Sequence, residues 1–154
     1  TIMFGYSNKT NEGFMGDSYV GKWVNIGAGT TVSNLKNTYG EISVATREGA
    51  VKTGRRFLGA LIGDHTKTAV GTRLIAGSYL GFNAMVAVSG FSPRLVPSYT
   101  FLTDKGAVPY RMDKAIEVQQ SVFSRRNRGW DDLDLYISQY IARVAPTVEP
   151  ELTA

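Results

Sequence analysis

The chain contains no cysteine. That excludes a disulfide framework and any thiolate-held metal. It contains one histidine, His65, and no His/Cys cluster, so a structural zinc site lacks its donors and no metal is expected. No apolar run approaches the length of a membrane-crossing helix, and the longest runs only from Phe57 to Gly63. No signal peptide is visible, so the expected setting is cytoplasmic, without a membrane partner. Basic residues do not form a stripe interleaved with aromatics, which argues against nucleic acid as a partner.

What the chain does have is a period of six. From Ile62 five hexads run without a break, and their first positions are Ile62, Thr68, Leu74, Leu80 and Val86. Position two is small in four of them (Gly63, Ala69, Gly81, Ala87), and position five reads Thr66, Thr72, Ser78, Ala84, Gly90. Six matches neither the 3.6 of a helix nor the 2 of an ordinary strand. It is the mark of a β-solenoid, in which short strands meet at tight corners. The apolar residue fills the interior, and the small residues fit where coils turn closely. An upstream block repeats the frame at Phe14, Val20, Ile26 and Val32, with Ile2 and Tyr6 in phase and Asn8 a polar break.

The 154 residues suffice for one domain with a real core, and 17 glycines suit a tightly cornered repeat. We assign residues 1–100 to a parallel β-helix, interrupted at 38–56 by a hairpin-like insertion with turn signals at Tyr39-Gly40 and Glu48-Gly49. Pro93 and Pro97 are expected to end the repeat, because proline cannot donate to a ladder. Residues 101–112 follow as a linker. Residues 113–146 are expected to form two helices. Asp113 would cap the first, which runs to about Asn127 with Ile116, Gln119/Gln120 and Phe123 on one face and Gly129 as its stop. The second carries an apolar stripe of Leu133, Tyr136/Ile137, Tyr140/Ile141 and Val144 and ends at Pro146. Residues 147–154 read as a frayed tail. The helices are expected to cover an open end of the solenoid or a neighbouring subunit. The chain starts at Thr1, already in phase with the repeat, which suggests a piece of a longer protein.

The segment from Phe14 to Thr30, containing Asn25-Ile-Gly-Ala-Gly-Thr30 and followed by Ser33-Asn34, resembles a known family. It is similar to the C-terminal acyltransferase domain of the bifunctional glucosamine-1-phosphate acetyltransferase/N-acetylglucosamine-1-phosphate uridylyltransferase. It is closer still to a branch of sugar nucleotidyltransferases. That branch is similar in Gly5-Tyr-Ser-Asn-Lys9, Ser33 to Gly40, Gly63-Asp-His-Thr-Lys-Thr68, Val96-Pro-Ser98, and the tail from Asp113 through Arg126. The resemblance implies an all-β fold, a left-handed parallel β-helix followed by two C-terminal α-helices. It also implies a homotrimer with its acyl site between neighbouring helices. Acetyl-CoA would be the donor and an amino-sugar phosphate the acceptor, with a sugar phosphate or nucleotide sugar as partner. A nucleotidyltransferase domain would precede the helix, and Mg would belong only to that domain.

Acyl transfer from a thioester to an amine needs a proton acceptor, dipoles for the oxyanion, and substrates held in contact. The family's histidine base corresponds to Asn11, whose amide cannot accept a proton near neutral pH. The family's partner asparagine corresponds to Asn34, and the tyrosine beside it to Leu35. Asn25 corresponds to a nucleotide-sugar contact. Ala28, Val70 and Val88 fall on the acetyl-CoA side. Catalytic candidates are thus Asn34, His65 and Asn11, with Lys9 and Asn25 for substrate. Each has a plainer reading. Asn25 and Asn34 suit solenoid corners, Asn11 a loop, and Lys9 a solvated surface. His65 is either a base near its working pH or a corner residue bonded to the next coil. Arg94 and the Arg125/Arg126/Arg128 group either meet CoA phosphates or complement a helix end. Residues 1–100 carry a net +5 and the remainder −1, which suits a phosphate-bearing ligand or an ordinary solvated surface equally.

Two functions of different classes fit these residues. One is an acyltransferase domain. The other is an inactive trimerising or nucleotide-sugar-binding module, favoured by Asn11 and Leu35. A carbonic-anhydrase-like hydratase on the same fold would need three histidines between coils, and one is present.

Overall fold

The structure is a computed structural model that describes residues 1–151. Short strands dominate it: β1 (Ile2–Met3), β2 (Tyr19–Val20), β3 (Thr31–Val32), β4 (Ser43–Thr46), β5 (Gly49–Lys52), β6 (Leu61–Ile62) and β7 (Lys67–Thr68). They continue with β8 (Arg73–Leu74), β9 (Tyr79–Leu80), β10 (Met85–Ala87), β11 (Leu95–Val96), β12 (Thr100–Thr103) and β13 (Gly106–Pro109). Two helices close the chain, α1 (Met112–Ser124) and α2 (Asp132–Val148).

The strands stack as three parallel faces, as a β-solenoid requires. Face A runs β1-β2-β6-β9-β11, all parallel. Face B begins with bridges from Asn8 to Asn25 and from Asn25 to Lys67, and continues through β7, β10 and β12. Face C stacks Met15 on Val32, pairs β3 with β8, and ends with Arg73 against Phe91. The first positions of the hexads point inward. Val20, Ile26, Val32, Ile62, Leu74, Leu80, Val86, Val96 and Leu102 form one buried cluster along the axis. Burying each such side chain stabilises the fold by about 1.5–3 kcal/mol.

The position-five hydroxyls have a second task. Buried Thr72 and Ser78 donate to the corner carbonyls of Ala69 (2.8 Å) and Ile75 (2.7 Å), and Thr66 donates to that of Gly81 (2.5 Å). These bonds satisfy backbone acceptors that the turn takes out of the ladder.

The first coil departs from the expected phase. Met3, not Ile2, pairs with Val20, and Met15, not Phe14, pairs with Val32. Ile2 and Phe14 are 62% and 56% exposed. The step from Met15 to Val20 is five positions where the repeat has six, and the corner between them is tightened by Asp17 at φ 46°. Extrapolating by sixes through that corner slips by one residue, which in a strand exchanges inside for outside.

The repeat also runs past both prolines. β11 pairs with β9, and β12 with β10. The carbonyls of Arg94 and Val96 accept from Tyr79 and Gly81 of the preceding coil. β11 is an edge strand, so Pro93 and Pro97 remove no ladder donor that a further coil would need. Residues 101–112 are therefore not a linker. β12 and β13 form an antiparallel hairpin stacked on face B, with Leu102 in the core. The insertion carries a second antiparallel hairpin, β4 with β5.

The helices lie along the side of the prism, not across its end. Five non-glycine residues with φ between 52° and 62°, Tyr6, Trp23, His65, Asn83 and Tyr99, occupy equivalent places at the corner between faces A and B. Trp23 stacks on Tyr6 at 4.1 Å and on Phe123 of α1 at 4.1 Å. Ala115, Gln119 and Phe123 are the buried face of α1. Asp113 does not cap it; Arg111 holds the cap position without a side-chain bond, and Asp113 sits in the first turn beside it. The helix ends at Ser124, and Asn127, not Gly129, carries the positive φ that follows it. Asp131 and Asp134 form a capping box on α2. Pro146 lies inside α2, two residues before its last residue, Val148. Leu133, Tyr136, Ile137 and Tyr140 face outward, while Ser138 and Ala145 are buried, because a close approach to α1 and the coils admits only small residues. Glu149 is tied down by Tyr79 Oη, Ser98 N and Ser98 Oγ, so that part of the expected tail is anchored. The rest of the tail, 152–154, lies outside the described residues.

Candidate functional site

The prism distributes the candidate residues over all three corners. Lys9, Asn11, Ala28, Val70 and Val88 cluster at or beside the corner between faces B and C. Lys9 Nζ donates to the carbonyls of Asn11 (3.2 Å) and Glu12 (3.0 Å), so its charge holds a loop together. The Gly71 N–H donates to the Ala28 carbonyl at 2.7 Å. Val70 is 75% exposed on the same corner, whereas Val88 is half-buried against the core. Gly29 and Gly71, with φ 71° and 70°, let the chain turn there.

Asn34 lies at the opposite corner, between faces C and A. Its Nδ2 donates to Asp17 Oδ2 at 2.6 Å. A carboxylate and an amide oxygen side by side form a natural seat for an ammonium group. Leu35 follows it near the root of the insertion.

His65 lies at the third corner, and burial there opposes a role as base. Its ring is enclosed by Phe82 (5.2 Å), Phe123 (6.1 Å) and Trp23 (6.3 Å). Nδ1 has no hydrogen-bond partner among the described residues. Burial, reinforced by the nearby Lys67 charge, pulls its pKa from the usual 6.5 down to about 3. Such an imidazole stays neutral and accepts protons poorly near pH 7.

Asn25 is exposed on face B, between Asn8 and Lys67. Together with Tyr6, Trp23, Arg125 and Arg126 these residues line a cleft of about 350 Å³ between face B and the C-terminal end of α1. Arg126 Nη2 donates to Asn8 Oδ1 at 2.6 Å. Lys67 Nζ donates to the carbonyls of His65 (2.8 Å) and Trp23 (3.5 Å), and burial lowers its pKa to about 8. Lys67 and Asn8 are residues that sequence reasoning missed. Their signal was present, since both sit in register with Asn25 once the coil lengths are known. Arg94 borders a different groove, beside Leu35 and Phe91, so it does not join the arginines of α1 in one patch.

Among the described residues, no group of His, Cys, Asp and Glu is placed to hold a metal ion, and no helix is long and apolar enough to cross a membrane.

No family model matches the chain. Curated relatives do. The chain is 36% identical over 73 residues to a bifunctional sugar-1-phosphate nucleotidylyltransferase/acetyltransferase of Sulfurisphaera tokodaii, covering 47% of this chain and 18% of that protein. It is 28% identical over 98 residues to the bifunctional protein GlmU of Methanocaldococcus jannaschii, covering 64% and 24%. It is 28% identical over 105 residues to GlmU of Methanococcus maripaludis, covering 68% and 25%. The matches thus span a quarter or less of each relative's own length.

Proposed function

We propose that the chain is the β-helix domain of a sugar-nucleotidyltransferase-associated acetyltransferase, moving an acetyl group from acetyl-CoA to the amine of an amino-sugar phosphate. The observation that carries this reading is the pairing of a parallel β-helix with similarity to relatives named for both activities.

In the reaction, the amine nitrogen attacks the thioester carbonyl, the C–S bond breaks, and the CoA thiolate leaves as the nitrogen loses a proton. Asn34 and Asp17 would seat the amino group, and Lys9 and Asn25 would contact the rest of the acceptor. Ala28 and Val70 would border acetyl-CoA along the B/C corner, with Val88 behind them. These residues lie at separate corners of one protomer, so the reading requires neighbouring copies to bring them together, as in a homotrimer. Asn11 is too weak a base for the proton, so turnover would depend on the fraction of acceptor amine already unprotonated, and the rate should rise with pH through the amine's pKa.

A second reading has its own support. Asn11 in the place of a base and a shielded His65 suit a module that trimerises or binds a nucleotide sugar without turnover.

The test is thiol release from acetyl-CoA with a panel of amino-sugar phosphates. Release that falls at least tenfold in Asn34→Ala supports the transferase reading. No release with any acceptor leaves the binding module. Light scattering that finds a monomer at working concentration would remove the shared site.

A further inference from the structure

We propose that the cleft between face B and the C-terminal end of α1 is a binding site for a phosphate monoester, held by Lys67, Arg125 and Arg126. The proposal concerns binding alone and does not depend on acyl transfer.

Three cations line this cleft, and no carboxylate does. The ion pairs among the described residues are Arg111–Asp113 and Lys114–Glu117, and both lie at the other end of α1. The charges of Lys67, Arg125 and Arg126 therefore have no internal partner. Two of them have an ordinary use, since arginines complement the negative end of a helix. Lys67 does not, because it comes from the solenoid. It is half-buried, and an ammonium withdrawn from water without a counter-ion is costly. Its depressed pKa is the mark of that cost. Two of its three N–H groups reach carbonyls, which leaves one for a ligand.

The surrounding polar groups are set as donors. Arg126 donates to Asn8 Oδ1, which leaves the Asn8 Nδ2 hydrogens for a guest. Asn25 adds a second amide in register beside it. Two guanidinium groups, an ammonium and two amides suit a compact dianion with several acceptor oxygens, and a phosphate monoester is one.

The aromatic wall narrows the class further. Trp23 has Tyr6 on one face and Phe123 on the other, and the Arg128 guanidinium covers Tyr6 at 5.7 Å. No ring face remains on which a nucleobase would stack. A cleft of about 350 Å³ accommodates the phosphate and a hydroxylated group beside it. That chemistry has two sources here, a sugar phosphate and the 3′-phosphate of CoA.

Calorimetric titration of the chain tests this with four probes: glucosamine 1-phosphate, glucosamine, CoA and 3′-dephospho-CoA. We expect at least one phosphorylated probe to bind tenfold or more tightly than its counterpart, and which pair shows the difference identifies the source. The advantage should fall at least tenfold in Arg125→Gln/Arg126→Gln, whose side chains are exposed and whose fold is checked by its melting temperature. Amide shifts of the unaltered protein on adding the tighter probe should centre on Asn8, Asn25, Lys67 and the end of α1. Equal binding within both probe pairs, an advantage that survives the double substitution, or shifts centred elsewhere would each overturn the proposal. Thiol release does not enter any of these readings, so loss of the acyltransferase reading and loss of this one are separate results.

Discussion

His65 stores a pH dependence that the rest of the corner enforces. The unfolded chain protonates an imidazole near its usual 6.5, whereas in the fold Phe82, Phe123 and Trp23 hold it neutral down to about pH 3. Above pH 6.5 both states are neutral and nothing is lost. As pH falls from 6.5 toward 3 the unfolded state takes up a proton that the folded state refuses, and stability drops. Each pH unit in that window is worth about 1.4 kcal/mol. At pH 4.5 the loss is about 2.7 kcal/mol, and below pH 3 it approaches roughly 4–5 kcal/mol. Carboxylates also titrate here, so the informative quantity is a difference between two proteins. His65→Asn is the suitable partner, because Asn83 holds the equivalent corner of the next coil at φ 54°. Urea unfolding of both proteins at pH 7 and 4.5 should show the stability of the native chain relative to the variant falling by about 2.7 kcal/mol between the two. A difference that stays constant within about 0.5 kcal/mol would refute the reasoning, since it would mean that the imidazole meets water or a proton acceptor in the fold.

Two further outcomes test the prism itself. Ile62 is 1% exposed at the centre of the core, and Ile62→Ala should cost about 2–5 kcal/mol in chemical denaturation; a loss below about 1 kcal/mol would place that side chain outside the axis. A Cβ at Gly81 would meet Ser98 N at 2.2 Å and Pro97 C at 2.7 Å, both backbone atoms of the next coil, so Gly81→Ala should cost about 1–3 kcal/mol or more. Gly90→Ala, where nothing lies within 4 Å, is the control and should change stability by less than about 0.5 kcal/mol.

The period of six was legible because each hexad obeys one local rule: an apolar residue for the axis and a small one for the turn. Ile62, Leu74, Leu80 and Val86 follow that rule and share the buried cluster. What the period does not encode is where a coil loses a residue. The five-residue step from Met15 to Val20 moved Ile2 and Phe14 from inside to outside, and no residue type at Gly16-Asp17 announces it. Prolines misled for a related reason. Whether Pro93 and Pro97 break a ladder depends on whether another coil follows, and that is a property of the stack, not of the strand.

The corner between faces A and B shows the same limit from the functional side. Tyr6, Trp23, His65 and Tyr99 look unrelated in sequence, 17, 42 and 34 residues apart, and become one ladder only after the insertion is looped out. That ladder is the surface on which Phe123 seats α1. Once α1 is seated, its arginines face Asn8, Asn25 and Lys67. So the feature that withdraws His65 from proton chemistry is the one that creates the basic cleft. A substitution that loosens the ladder, such as His65→Asn, should therefore weaken any ligand of that cleft even though His65 does not line it, and intact binding in a protein whose α1 has come away would separate the two.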